Sequence, residues 1–191
     1  MPSAFGLPIK AIDRYVAPPV MTLLTTLTAS GSSSLQYTGF SSASYKKYRM
    51  IFAGLLPVDN GVNWEVRAST NSGSTYGALW EGVIISPGNV ALVPTNTQQG
   101  GGVTRFPVAL ACTNNTSTGW VYGEADWAYN PVSGNRSALI GLCGTRRYDY
   151  AYPGPNISHA IFDTATEVNT LNFSFSTGNI VSGTVKIYGI T

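Results

Sequence analysis

The residues of this chain with the clearest potential for chemistry are two carboxylates, Glu124 and Asp126, in the sequence YGEADW. They lie two positions apart, so an extended strand would place both side chains on one face. At that spacing, two carboxylates can serve as the nucleophile and the acid of a retaining glycosidase. The aromatic residues that flank them, and that could line a sugar cleft, are Trp120, Tyr122 and Trp127. We favour the simpler interpretation that both carboxylates face water or pair with an arginine. The candidate arginines are Arg136, Arg146 and Arg147.

The single histidine and the two cysteines offer few alternatives for catalysis or metal binding. His159 begins the strand-like run HAIF after Pro-Gly-Pro-Asn, a place typical of a surface or turn histidine. Cys112 and Cys143 each end an apolar run, which predicts small buried side chains, and a disulfide between them is the alternative. Two cysteines and one histidine do not make a usual zinc site. The sequence therefore predicts no catalytic residue, no metal, no cofactor and no enzymatic activity.

Short β-prone segments separated by turn residues recur along the chain. In one of them Tyr48, Met50 and Phe52 share a face, the period-two pattern of a half-buried strand. The predicted strands lie near residues 20–29, 35–39, 45–55, 63–69, 78–85, 90–94, 103–112, 119–129, 137–147, 159–162, 171–175 and 184–190. No helical pattern of apolar residues exceeds about two turns. We therefore predict an all-β fold, a jelly-roll-like antiparallel β-sandwich with an extended N-terminal arm.

The last two predicted strands indicate where the core of this fold lies. Leu171, Phe173 and Phe175 alternate with polar residues, and turn residues separate them from a second strand over 184–190. A chain that ends within a strand anchors its terminus in a sheet. We therefore predict that the two strands form a hairpin central to the core.

The first nineteen residues differ from the rest. Four prolines interrupt residues 1–19, and a proline keeps the residue before it extended. The apolar side chains are too many for a solvated tail. We predict that 1–19 is an extended arm on its own sandwich or on a neighbouring subunit, with contacts through Phe5, Leu7 and Ile9. A first edge strand is the alternative. Residues 20–191 are predicted to form the single sandwich domain.

Composition narrows the classes of partner. Charged residues make up 10% of the chain, against about 25% in typical soluble domains. The net charge is +2 and no block of lysine and arginine exceeds two residues, so we expect no nucleic-acid ligand. No apolar run approaches the length of a membrane span, so we expect no membrane partner. A face of low charge suits contact with other subunits.

A segment rich in tyrosine and arginine is the most distinctive surface candidate, because these residue types are enriched at binding hot spots. The predicted contact residues are Arg146, Arg147, Tyr148, Tyr150 and Tyr152. An interface with a neighbouring subunit is one interpretation. The alternatives are ordinary packing of a long loop and a platform on which sugar rings stack.

Three stretches carry a resemblance to a known family. The C-terminal residues 173–190 read F-x-F-S-T-G-N-I-x-S-G-T-V-K-I-Y-G-I, and residues 35–55 and 58–76 are the other two stretches. They resemble a family of virion proteins of tailed bacteriophages, which are named as tail, fibre or head-surface proteins. The similar region covers about residues 35–191, and within it residues 78–163 resemble the family only in their general character. The resemblance implies a structural virion protein, assembled in the host bacterial cytoplasm, that acts by binding.

Two locations in the virion are compatible with this resemblance. A capsid decoration or cement protein would bind the major capsid protein on the outer head surface, as a homotrimer at three-fold positions. A tail-fibre or tail-tip module would bind the host cell surface, with a glycan as the candidate ligand. The small size of the chain and the lack of a coiled-coil shaft favour decoration.

Overall fold

The computed structural model describes residues 19–77, 80–87, 92–98, 103–117, 119–129, 137–146, 153–162, 164 and 166–191. Within these ranges the chain forms twelve β-strands and no helix. The strands are β1 (Met21–Ser32), β2 (Leu35–Thr38), β3 (Lys47–Pro57), β4 (Val62–Ser69), β5 (Trp80–Pro87), β6 (Leu92–Gln98), β7 (Phe106–Cys112), β8 (Val121–Ala128), β9 (Ser137–Arg146), β10 (Pro153–Phe162), β11 (Thr170–Phe175) and β12 (Ile180–Ile190). Each strand overlaps one of the segments that the sequence predicts.

The strands form two packed sheets. The large sheet has eight strands in the order β1-β12-β3-β8-β9-β10-β5-β6, and the small sheet has four in the order β2-β11-β4-β7. Every pair of neighbouring strands is antiparallel. The predicted all-β, antiparallel sandwich is therefore confirmed.

Consecutive strands cross repeatedly from one sheet to the other. The first four strands alternate between the sheets, and the pairs β7–β8 and β11–β12 also divide between them. Two hairpins, β5–β6 and β9–β10, stay in the large sheet and widen it. The inner face of this extension packs on β7. Small inward residues such as Gly141, Ser158 and Ala160 leave room for that strand.

Aromatic side chains join the sheets across the core. The ring centroid of Phe52 on β3 lies 5.8 Å from that of Trp64 on β4 and 5.9 Å from that of Phe173 on β11. Both contacts are edge-on, the arrangement that the charge distribution of aromatic rings favours. The three side chains are buried, as their inward positions in the sequence pattern predict. Burial of large rings is the main source of stability in such a core.

The predicted C-terminal hairpin is wrong, because β11 and β12 lie in different sheets. Strand β11 pairs with β2 and β4, and β12 pairs with β1 and β3. The N–H of Ser176 donates to the carbonyl oxygen of Asn63, which holds the connection beside β4 rather than in a tight turn. The expectation that both strands are central holds, since each lies between two neighbours.

The two cysteines are small core residues. Cys112 on β7 and Cys143 on β9 are both buried and not bonded to each other. Burial raises the pKa of Cys112 to about 11 and also raises the pKa of Cys143. The structure thus supports the buried-thiol interpretation over the disulfide.

The predicted arm falls almost entirely outside the described residues. Of residues 1–19 the structure describes only Pro19. The proposed contacts of Phe5, Leu7 and Ile9 therefore stay predictions. In the described part of the chain, no helix has the length and apolarity needed to cross a membrane.

Candidate functional site

The carboxylate pair lies on the outer face of the large sheet, where β3 supplies its partners. Arg49 donates two hydrogen bonds to Asp126, of 2.8 Å from Nε to Oδ1 and 2.9 Å from Nη2 to Oδ2. Lys47 Nζ lies 2.5 Å from Oδ2 of Asp126. A guanidinium nitrogen of Arg49 also lies 3.6 Å from Glu124. The expectation of pairing with an arginine is met by Arg49.

Of the three arginines predicted as partners, the structure describes only Arg146, and for this residue the prediction is wrong. The partner is Arg49, because cross-strand pairing brings it directly opposite Asp126. Arg146 is not among the ion-pair partners of either carboxylate, and Arg136 and Arg147 lie outside the described residues. Burial opposes ionisation of Asp126, but the hydrogen bonds from Arg49 and Lys47 outweigh it and lower its pKa. An ionised carboxylate held by two cations is a poor general acid. The geometry favours a structural role for this pair.

An apolar face lies beside the ion pairs. It consists of Tyr122, Ile140, Leu142 and Ile157, whose exposed fractions are 53%, 56%, 53% and 48%. Leu142 on β9 stands opposite Glu124 on one side and opposite Ile157 on the other. A depression of about 230 Å³ lies between the three aliphatic side chains of this face and the two carboxylates. Three large aliphatic side chains are therefore half exposed and adjacent.

The predicted tyrosine and arginine segment connects the strands of the apolar face. Arg146 ends β9 and is partly buried, and its carbonyl oxygen accepts a hydrogen bond of 3.2 Å from Thr113. The other predicted contact residues, Arg147, Tyr148, Tyr150 and Tyr152, lie outside the described residues. Their role stays a prediction. By chain order they lie between β9 and β10.

His159 is exposed on the same outer face, which confirms the surface interpretation. It stands opposite Ile140 on β9 and Val83 on β5. Its predicted place at the start of a strand is wrong, because β10 begins at Pro153. Prolines fit there because β5 pairs only with residues from Ile157 onward, so among the described strands this part of β10 has a neighbour on one side only.

A polar cleft occupies the outer face of the small sheet. Its volume is about 430 Å³. Strands β2, β11 and β4 form its floor, because Asn172 stands opposite both Gln36 and Arg67. The side chains that define the cleft are Gln36, Arg67, Tyr76, Arg105, Asn172 and Ser174.

The guanidinium group of Arg67 lies over an aromatic ring in this cleft. The carbon of its guanidinium group is 4.0 Å from the ring centroid of Tyr76. The Tyr76 hydroxyl donates a hydrogen bond of 2.8 Å to Gln36, which fixes the ring. The Nε atom of Arg67 is shielded from water and has no hydrogen-bond partner among the residues that the structure describes. Burial and the nearby Arg105 lower the pKa of Arg67, so both effects disfavour its charge.

Glu65 lies beneath the two arginines. Its Oε2 atom is 3.6 Å from a guanidinium nitrogen of Arg105, and only 8% of the residue is exposed. Burial raises the pKa of Glu65, although Arg105 and Arg67 oppose the rise. Arg105 also donates a hydrogen bond to the Ser176 carbonyl oxygen. Two cations therefore line the cleft, and a buried carboxylate whose ionisation is resisted lies beside them.

Sequence reasoning did not identify this cleft. Glu65 and Arg67 alternate with the apolar residues Trp64, Val66 and Ala68, a pattern that predicts outward side chains. Alternation likewise places Asn172 and Ser174 on the polar side of β11. It contained no information that β11 pairs with β4. The one available signal was that two strands each carry polar residues at alternate positions.

In the ranges that the structure describes, no three His, Cys, Asp or Glu side chains cluster as a metal site. No protein-family model matches the chain, and no curated protein or solved structure shows significant similarity to it.

Proposed function

We propose that the chain is a structural protein of a tailed-bacteriophage virion that binds the outer head surface and stabilises adjacent capsid subunits. The apolar face carries this proposal. Large adjacent apolar side chains on an exposed sheet face mark interaction sites in soluble proteins. Here they occur in a chain of only 10% charged residues. The partner is the major capsid protein, in keeping with the virion resemblance of the sequence.

The strand order supports the jelly-roll-like part of the fold prediction. A jelly roll packs two antiparallel sheets through Greek-key connections, and viral capsid domains are among its examples. The strands β1-β12-β3-β8 and β2-β11-β4-β7 form two such four-stranded sets, and consecutive strands cross between them. The hairpins β5–β6 and β9–β10 are additions to this frame. Because β9–β10 carries most of the apolar face, the added strands are where binding is expected.

The experiment compares phages that encode altered chains. Ile140→Gln with Leu142→Gln removes two aliphatic contacts, and Val181→Gln is the matched control. Val181 is also an exposed aliphatic residue of the large sheet, at 42% exposure, but it lies on β12. We expect the double variant to lower the amount of this protein per purified head at least tenfold, because central apolar contacts dominate interface affinity. Heads should then burst at a lower temperature while adsorption to cells stays normal.

Unchanged occupancy in the double variant, with a melting temperature like that of the unaltered protein, would contradict attachment through the apolar face. Loss of occupancy in Val181→Gln as well would also contradict it.

The second candidate is a tail-fibre or tail-tip module that binds a host-surface glycan, and the polar cleft favours it. In that case the protein is found with purified tails. Arg67→Gln with Arg105→Gln should then reduce adsorption by orders of magnitude and leave heads intact.

A further inference from the structure

We infer that the polar cleft binds an anionic saccharide, a sugar that carries a carboxylate or a phosphate. The inference goes beyond the proposed head attachment and uses a different sheet. It specifies the class of glycan that the second candidate function would bind.

The charge of the cleft favours an anionic ligand. Among the residues that the structure describes, the lining contains two guanidinium groups, Arg67 and Arg105, and no carboxylate. The Glu65 carboxylate lies beside the lining, with 8% of the residue exposed, and contacts Arg105 at 3.6 Å. A ligand with a negative group would separate the two like charges and offset their repulsion.

Arg67 brings a guanidinium group into the lining of the cleft. The contact with Tyr76, 4.0 Å from the guanidinium carbon to the ring centroid, holds this group over the ring. A planar guanidinium binds carboxylate and phosphate oxygens through paired hydrogen bonds. The geometry therefore provides a fixed anchor for an acidic group.

The rest of the lining fits hydroxyl groups. Asn172 and Ser174 are more than nine-tenths buried in the floor, at 6% and 8% exposure, and Gln36 stands beside them on β2. Serine and threonine residues form much of the rim. Amides and hydroxyls both donate and accept hydrogen bonds, as sugar hydroxyls do.

The shape and polarity of the cleft distinguish a sugar from an acidic peptide. The volume of about 430 Å³ lies within the range of roughly 300–1,000 Å³ of small-molecule sites. The side chains that line this cleft are polar, with Phe175 the exception, and polar side chains can pair with hydroxyl groups on every side of a ligand. A sugar presents polar groups around its whole ring. We therefore assign the cleft to a saccharide.

The test titrates the purified full-length protein by calorimetry and by amide NMR. The probes are trigalacturonate, glucose 6-phosphate, neutral maltotriose and a triglutamate peptide. We expect one or both anionic sugars to bind, at least tenfold more tightly than maltotriose, and to weaken as salt rises. The amide signals that shift should include those of Gln36, Arg67 and Asn172. Arg67→Gln should lower the affinity at least tenfold, and Arg49→Gln, on the other sheet, should not.

The two anionic sugars distinguish a carboxylate site from a phosphate site, and either result supports the inference. Binding of neither at millimolar concentration would overturn it, as would equal binding of maltotriose. Triglutamate that binds as tightly and competes would identify an acidic-peptide site instead. The NMR shifts of the unaltered protein decide the location even if Arg67→Gln fails to fold. Failure here leaves the apolar face untouched, because it lies on the other sheet.

Discussion

On the outer face of the small sheet, several polar side chains point outward and are nevertheless mostly buried. Asn172, Ser174 and Glu65 are each less than one-tenth exposed. Arg67 and Arg105 line the cleft above this floor. Because these polar groups are already fixed by the fold, a ligand would lose little binding free energy in ordering them.

Glu65 gives the first residue-scale prediction. Burial raises its pKa above the ordinary value of 4.5, and Arg105 and Arg67, which face it, only partly offset this. The folded state thus retains a proton that the unfolded state releases, so ionisation of Glu65 destabilises the fold as pH rises above 4.5. We expect Glu65→Gln to melt higher than the unaltered protein at pH 8, with a smaller difference at pH 4. Thermal melts between these values measure this.

Glu124→Gln is the control, since the Glu124 side chain is 48% exposed on the other sheet. The difference in melting temperature between Glu65→Gln and the unaltered protein could instead narrow as pH rises. That result would mean that Arg105 stabilises the ionised carboxylate more than burial penalises it.

The cysteines give a second prediction. Cys112 and Cys143 are the two cysteines of the chain, both buried and unbonded. Burial raises their pKa values, which removes the reactive thiolate. We expect no thiol to react with a disulfide reagent at pH 8 in the native protein and two to react in denaturant without reductant. No reaction in denaturant would mean that a disulfide joins them.

For single residues, alternation predicted well which side chains share a face of a strand, but it did not predict which residues of different strands are in contact. The pattern predicted that Tyr48, Met50 and Phe52 share one face of their strand, and all three are buried. It did not predict Arg49 as the partner of Asp126, because these residues are 77 positions apart. Local sequence specifies the side of the strand, whereas register between strands depends on the whole fold.

Among the elements, strand positions were predictable and strand pairings were not. Apolar alternation and turn residues are local signals, so each observed strand has its predicted counterpart. Strands β11 and β12 follow each other in sequence but pair with strands far away in it. Strand β10 was predicted too short because its prolines signal a turn, and the prolines are tolerated where one neighbour is missing.

A glycine where β12 meets β3 gives a prediction at the element scale. Gly183 has a φ of +114°, and an added Cβ would lie 2.5 Å from the backbone oxygen of Gly54. The register between the two strands shifts at this point. We expect Gly183→Ala to lower the free energy of unfolding by about 2 kcal/mol or more, through backbone strain and the clash. Denaturant titration measures the loss.

Gly144→Ala is the matched control, because its added Cβ would meet nothing closer than the Tyr122 carbonyl oxygen at 3.9 Å. We expect this variant to stay within about 0.5 kcal/mol of the unaltered protein. An equal loss in both variants would argue against a special role for the irregular pairing at Gly183.

For the molecule as a whole, the two outer faces differ in chemistry. The large sheet carries the apolar face beside its ion pairs, and the small sheet carries the polar cleft. A protein that binds a particle through the first face would leave the second exposed to solvent. This division connects the proposed attachment with the inferred saccharide site.

Self-association is the next prediction at this scale. A charge-poor chain with exposed aliphatic residues favours a symmetric oligomer, and we expect a homotrimer. Sedimentation equilibrium at micromolar concentration should give three times the 20.2 kDa mass of the chain. A mass of 20.2 kDa under these conditions would contradict self-association in solution. It would leave attachment to the head open.

The location of the protein on virions tests the central claim most directly. Virions of the phage that encodes the chain are purified, labelled with a gold-conjugated antibody against the protein, and imaged by electron microscopy. Virions that lack the gene control for non-specific label. We expect gold particles distributed over the head surface, because the apolar face is proposed to bind the major capsid protein. Label confined to the tails, or no label above the control on any virion, would contradict the proposed head attachment.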